Sequence, residues 1–151
     1  MNIINKSLNL RRLTKDSFYE VCLLSVKSTQ EHHVDSNAIS IAEASFSKHA
    51  WFKGIYLGDV AVGFVMVDVN PQDNKYYLWR FMIDAKYQGK GLGKRSIQLL
   101  LSELKTQFNA TEITTSVITD EIGPLTFYQD LGFKLTGNYI EGREPELSLY
   151  F

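Results

Sequence analysis

Three glycines fall within five residues in the stretch Gln88-Gly89-Lys90-Gly91-Leu92-Gly93-Lys94. It follows an apolar, strand-like run, Tyr76 to Ile83, and opens an amphipathic run, Gly91 to Phe108. Glycines let a backbone turn tightly and approach a ligand closely. A helix starting behind them leaves its first N–H groups unpaired, at the positive end of the macrodipole. Together these features make a phosphate-binding site, and Lys86, Lys90, Lys94 and Arg95 add positive charge. The plain alternative is a glycine-rich turn with solvated lysines. Spacing excludes two familiar loops. A P-loop counted back from Gly93-Lys94 needs glycine where Gln88 stands, and Ser or Thr where Arg95 stands. A Gly-x-Gly-x-x-Gly read from Gly89 or Gly91 ends on Lys94 or Ser96.

The elements around this loop can be traced from periodicity. Leu8 to Leu10 alternates as part of a first strand. A helix beginning at Thr14 or Asp16 is expected to carry Phe18, Val21, Cys22 and Ser25 on one face. A polar loop, 30 to 37, leads to a second helix, 38 to 49, with Ile39, Ala42 and Phe46 on one side. Phe52 to Leu57 and Val60 to Val69 flank Gly58-Asp59, a hairpin turn signal. Tyr76 to Ile83 is nearly free of polar residues and predicts a central strand. Ile97, Leu100, Leu101, Leu104 and Phe108 keep helical spacing. Ile113 to Thr119 is β-rich, Pro124 opens a short helix that Gly132 ends, and 133–136 and 146–151 are closing strands. The order βααβββαβαββ predicts an α/β sandwich with a mixed sheet.

Composition bounds the rest. A chain of 151 residues with 44% apolar content is expected to form one domain, 1–151. A net charge of −1 leaves no footprint for nucleic acid or membrane. The single cysteine, Cys22, excludes an internal disulfide framework and a cysteine-based zinc site, and a lone buried thiol suits a reducing cytosol. Met1 to Lys6 lacks the apolar core of a signal peptide. The expectation is a soluble, cytoplasmic protein.

The glycine stretch also fits Gln/Arg-x-x-Gly-x-Gly/Ala, and Pro124-Leu125-Thr126-Phe127-Tyr128-Gln129-Asp130-Leu131-Gly132-Phe133 looks like Ala-x-x-Phe-Tyr-x-x-x-Gly-Phe. Both patterns resemble the GNAT superfamily of acetyl-coenzyme A N-acetyltransferases. The resemblance implies the GNAT fold, a mixed central β-sheet flanked by helices, with acetyl-CoA as co-substrate on Gln88, Gly89, Lys90, Gly91, Leu92, Gly93 and Lys94. It implies that Tyr128 protonates the leaving thiolate. It further implies that the strand before the loop is bulged and splayed, so that the backbone of Phe81, Met82 and Ile83 meets the pantetheine arm.

The chain also departs from relatives. The strand Tyr76 to Ile83 holds no acid, with Trp79 where some relatives place a glutamate base. Glu121 stands where many have an asparagine contacting the cofactor, and that role is not carried over. A water chain or a carboxylate such as Glu31, Asp35, Glu43 or Glu121 is left to take the amine proton, and His33 is a further candidate base. Arg80 reads as a structural ion pair. His32 and His33 have no second ligand cluster in the sequence, so no metal is expected.

Residues 78 to 94 are similar to bacterial spermine/spermidine acetyltransferases of the BltD type, which run Arg-Phe-x-Ile-Asp and then Tyr-Gln-Gly-Lys-Gly-x-Gly-Lys. That likeness implies a small-molecule amine acceptor, a polyamine, drawn by Glu31, Asp35 and Glu43 and attacking directly in a ternary complex. Protein or peptide N-acetylation and a non-catalytic acyl-CoA-binding module stand as alternatives. A homodimer is left open.

Overall fold

The computed structural model describes residues 5–121 and 123–151. Met1 to Ile4, part of the stretch weighed against a signal peptide, lie outside the described residues. Strands β1 (Leu8–Arg11), β2 (Ala50–Leu57), β3 (Val60–Asn70), β4 (Lys75–Ile83), β5 (Glu112–Ser116), β6 (Lys134–Ile140) and β7 (Glu144–Tyr150) form one sheet, in the order β1-β2-β3-β4-β5-β7-β6. Helices α1 (Phe18–Cys22), α2 (Asn37–Ala44), α3 (Leu92–Phe108) and α4 (Leu125–Asp130) lie between them in the chain. The element order is the one expected. Among the described residues only β4 and β5 run parallel, because α3 carries the chain across between them.

Alternation on β3 divides the core into two layers. Val65, Val67 and Val69 join Ile97, Leu100 and Leu104 of α3, whereas Phe64 and Met66 join Val21 of α1 and Ala44 of α2. Each fully buried side chain of this size contributes about 1.5–3 kcal/mol. Lys53 reaches from β2 to Glu103 of α3 at 2.7 Å. Tyr56 of β2 donates to Glu20 of α1 at 2.6 Å. Among the described residues no helix is long and apolar enough to cross a membrane.

Both N-terminal helices differ from expectation. α2 ends at Ala44, and its buried positions are Asn37, Ser40 and Ala44. Ile39 and Phe46 face solvent, Phe46 at 92% exposure. A periodicity reading follows large apolar residues, yet this helix packs through small ones. Asn37 Nδ2 donates to the Val21 carbonyl at 2.8 Å, and Ser40 Oγ to the Ser36 carbonyl at 3.1 Å, so the polar atoms are satisfied inside. In α1 only Val21 is buried; Phe18 is exposed and Cys22 half-buried. The last two strands are longer than expected and meet at a hairpin where Glu141 and Gly142 take positive φ.

Gly63 pairs with Ile83 across β3 and β4 and has no room for a side chain. A Cβ there would stand 2.5 Å from the Met82 carbonyl oxygen. We expect Gly63→Ala to destabilise the fold by about 1–3 kcal/mol, while Phe46→Ser stays within about 0.5 kcal/mol. Urea unfolding of the two variants checks the contrast.

Candidate active site

The glycine loop is built as its residue types require. Gly89 and Gly91 adopt φ of +75° and +79°, in the left-handed region open to glycine. Gly91 caps α3, and the first turn closes with Arg95 N–H on the Gly91 carbonyl at 3.2 Å. The N–H groups before Arg95 therefore have no intrahelical acceptor and face the loop. Gly93 serves packing, since a Cβ there would stand 3.1 Å from the Phe127 ring. The Gln88 side chain is a strut, donating at 2.9 Å both to Gln30 and to the Ile83 carbonyl. Asp84, buried at the end of β4, accepts from Ser25 N–H at 2.9 Å and from Lys86 N–H at 3.2 Å. It anchors the approach to the loop, and the sequence reading did not single it out.

β4 opens away from β5. Their ladder covers Tyr77–Thr114 and Leu78–Thr115 among the described residues, braced by Thr115 Oγ1 on the Leu78 carbonyl at 3.0 Å. At that level the pairing with β3 shifts register: Met66 faces Arg80 and Val67 faces Leu78, so Trp79 is a bulge. Beyond it, Asp84 N–H donates to the Val62 carbonyl at 2.8 Å. Strand alternation then turns the Met82 backbone toward β3, and the N–H and C=O groups of Phe81 and Ile83 away from it, into the gap.

Tyr128 closes the gap from α4. It is buried, with its ring edge-on to Phe127 at 5.1 Å and to Phe133 at 5.3 Å. Its carbonyl accepts from Leu131 and Phe133, so the backbone is fixed as well. Burial pushes the phenol above its usual value; a hydrogen bond with Thr115 partly offsets this and Tyr77 adds to it. The hydroxyl therefore stays protonated, as a proton donor must. Tyr77 is also raised by burial, and its hydroxyl lies 2.5 Å from Ser116 Oγ.

One cleft of about 1150 Å³ joins the loop, the strand gap and Tyr128. Of the expected cofactor residues, Phe81, Met82, Ile83, Gln88, Gly89, Gly91, Leu92, Gly93 and Lys94 line it; Lys90 is exposed and outside the lining residues described. Six acids from four segments of the chain line the cleft, Glu31, Asp35, Glu43, Asp130, Glu141 and Glu144, an acidic wall with Arg80 among them, while Lys94 stands on the first turn of α3. Arg80 binds Asp35 at 2.7 Å and Glu43 at 3.1 Å, the ion pair expected for it; one guanidinium is shared by two carboxylates. Its buried Nε has no partner among the described residues. The hairpin acids Glu141 and Glu144 escaped the sequence reading, because the β6–β7 turn that brings them to the cleft is polar throughout and carries no periodic signal. Glu121 is exposed and outside the lining residues described. His32 and His33 line the rim.

A glycine loop at a helix start, an open strand edge and a buried tyrosine converging on one cleft suit acyl transfer from a thioester carried on a pyrophosphate handle. Comparison with known proteins agrees. The acetyltransferase (GNAT) family profile matches residues 9–133. A spermine/spermidine N(1)-acetyltransferase of Bacillus subtilis strain 168 is 31% identical over 137 residues, covering 87% of this chain and 90% of that protein. A PaiA N-acetyltransferase of Thermoplasma acidophilum, solved with coenzyme A, superposes with a TM-score of 0.70 at 16% identity, over 96% of this chain and 99% of that one. The ribosomal-protein-S18-alanine N-acetyltransferase of Escherichia coli does so with 0.66 at 16% identity, over 96% and 100%. The chain belongs to the GNAT acetyltransferase family, and it is an acetyl-CoA-dependent N-acetyltransferase. The reading as a non-catalytic module is thereby set aside.

The raised Tyr128 phenol is open to direct measurement. At about pH 10, where an exposed tyrosine is half-ionised, the tyrosinate absorbance of wild type and Tyr128→Phe should coincide. A difference between them should develop only at higher pH.

Proposed function

We propose that this enzyme acetylates a primary amine of a small polycation of the spermidine/spermine class, within one catalytic domain. The acidic wall carries the reading: five carboxylates besides Glu43 face the cleft against Arg80, and a chain of ammonium groups is the complementary ligand. The 31% identity to a spermine/spermidine N(1)-acetyltransferase supports it.

The chemistry follows from the positions. The coenzyme's pyrophosphate lies on the N–H groups of the 88–94 loop, and its pantetheine arm runs in the gap beside β4. There it pairs with the backbone of Phe81 and Ile83. The amine, bound at the acidic wall, loses a proton and attacks the thioester carbon. The tetrahedral oxyanion is held by a backbone N–H at the strand edge, a contact that strengthens as charge develops. Collapse expels the coenzyme A thiolate, which takes a proton from Tyr128. Since β4 carries no acid, the amine proton leaves through water to the wall carboxylates, with Glu31, Asp35 and Glu43 at the loop and α2 side.

Tyr128→Phe removes the hydroxyl alone. It should lower kcat by about 10²-fold and leave acetyl-CoA affinity, read by calorimetry, within twofold (about 0.4 kcal/mol). Full turnover by this variant would remove Tyr128 from the mechanism.

Coenzyme A release across a panel of amines and peptides tests the acceptor. Spermine and spermidine should turn over, faster at higher pH as the amine deprotonates and more slowly with added salt, which screens exposed charge beyond about 8–10 Å. Glu43→Gln should raise KM for spermine about two- to fivefold, the worth of one exposed ion pair. Robust acetylation of a peptide N-terminus with no polyamine turnover would reassign the acceptor to protein.

A further inference from the structure

The fold brings Asp120, from the loop between β5 and α4, against two adjacent histidines of the loop before α2. His32 Nε2 and His33 Nε2 lie 2.7 Å and 2.8 Å from the same oxygen, Asp120 Oδ2. The two imidazole rings sit side by side with centroids 3.9 Å apart. His33 is 7% exposed at its side chain and Asp120 32%, so the cluster is set into the surface, with His32 covering it from outside at 56%. The His33 N–H on the Gln30 carbonyl, at 2.9 Å, fixes the turn that aims both rings the same way.

We propose that this cluster is a binding site for a divalent transition-metal ion of the zinc class. All three ligand atoms lie within 4.8 Å of one another, the span that one ion can bridge. Two imidazoles and a carboxylate favour zinc and its neighbours over magnesium or calcium, which prefer oxygen alone. Bonds of about 2.0–2.2 Å in a tetrahedral arrangement set ligand atoms about 3.3–3.5 Å apart. The two nitrogen–oxygen separations, 2.7 and 2.8 Å, need to open by roughly 0.5–0.8 Å, within reach of side-chain rotation. A water molecule completes the fourth position. The expectation that no metal binds rested on the want of a ligand beyond the histidine pair, and the third ligand comes from 87 residues away along the chain.

The ion would act as a brace. One side of the site is the 28–36 segment that carries Glu31 and Asp35 to the cleft. The other is the loop that leads into α4 and Tyr128. Joining them fixes the acceptor wall against the helix that bears the proton donor. The role assigned to the ion is structural, and the acyl transfer is routed through none of its ligands.

Metal-free protein titrated with Zn²⁺ in a calorimeter, and with Co²⁺ by visible absorption, tests this without any turnover. Wild type should bind one ion per chain saturably, with the d–d bands of a low-coordinate nitrogen and oxygen site. Asp120→Asn keeps a hydrogen-bond acceptor for the rings but removes the anionic ligand. It and the exposed His32→Ala should each weaken binding by at least about tenfold. His49→Ala, which removes the only other histidine, should bind as wild type does. Thermal unfolding without metal verifies that each variant is folded. Absence of saturable binding, a smaller loss in Asp120→Asn or His32→Ala, or a comparable loss in His49→Ala, overturns the proposal.

Discussion

Every strand inside a sheet must find partners for the N–H and C=O groups on both of its sides, and among the described residues β5 supplies them to β4 only as far as Leu78, with the Gln88 side chain on the Ile83 carbonyl further along. This shortfall organises the rest of the molecule. The Trp79 bulge marks where the strand parts from β5, and α4 closes the gap with Tyr128. A continuous ladder would have left no cleft and no free edge. The glycine loop follows directly from the strand that opens, so the polar edge and the helix N-terminus fall on the same side by chain connectivity alone.

Anchoring falls to small polar contacts around that opening. Thr115 holds the fork, Asp84 ties the end of β4 to the segment after α1, and Gln88 ties it to Gln30. Large side chains do the opposite work, excluding water: Phe81 stacks against Phe127 at 6.0 Å, and Gly93 is bare so that Phe127 can come close. The acidic wall is then assembled from distant pieces, the 28–36 loop, α2, the end of α4 and the β6–β7 hairpin. Arg80 limits their mutual repulsion without cancelling it.

Sequence alone carried the element order and the glycine loop, because both rest on local rules, 3.6-residue periodicity in α3 and positive φ at Gly89 and Gly91, whereas Tyr128 was singled out by the likeness of its segment to a family motif. It failed where packing runs against residue type. Asn37 and Ser40 are inside while Ile39 and Phe46 are outside, since a close helix contact favours small side chains that satisfy their own hydrogen bonds. Glu141, Glu144 and Asp120 were invisible for a different reason. Their relevance is tertiary, created by a hairpin and a loop that bring them beside residues far off in the chain. A bulge on this strand was expected from family likeness, but its place at Trp79 was not, and it has no signature in that residue type.

The fork also divides the sheet mechanically. β1 to β4 form one antiparallel block, and β5, β7 and β6 form another; two ladder pairs, the Thr115 hydroxyl, the Tyr77–Ser116 contact and a shared buried core join them. A ligand arm lying between the blocks takes the place of a missing strand. Its binding free energy is then also cohesion between the halves, growing with free ligand as RT ln(1 + [L]/Kd). A coenzyme arm seated there would splint the fork.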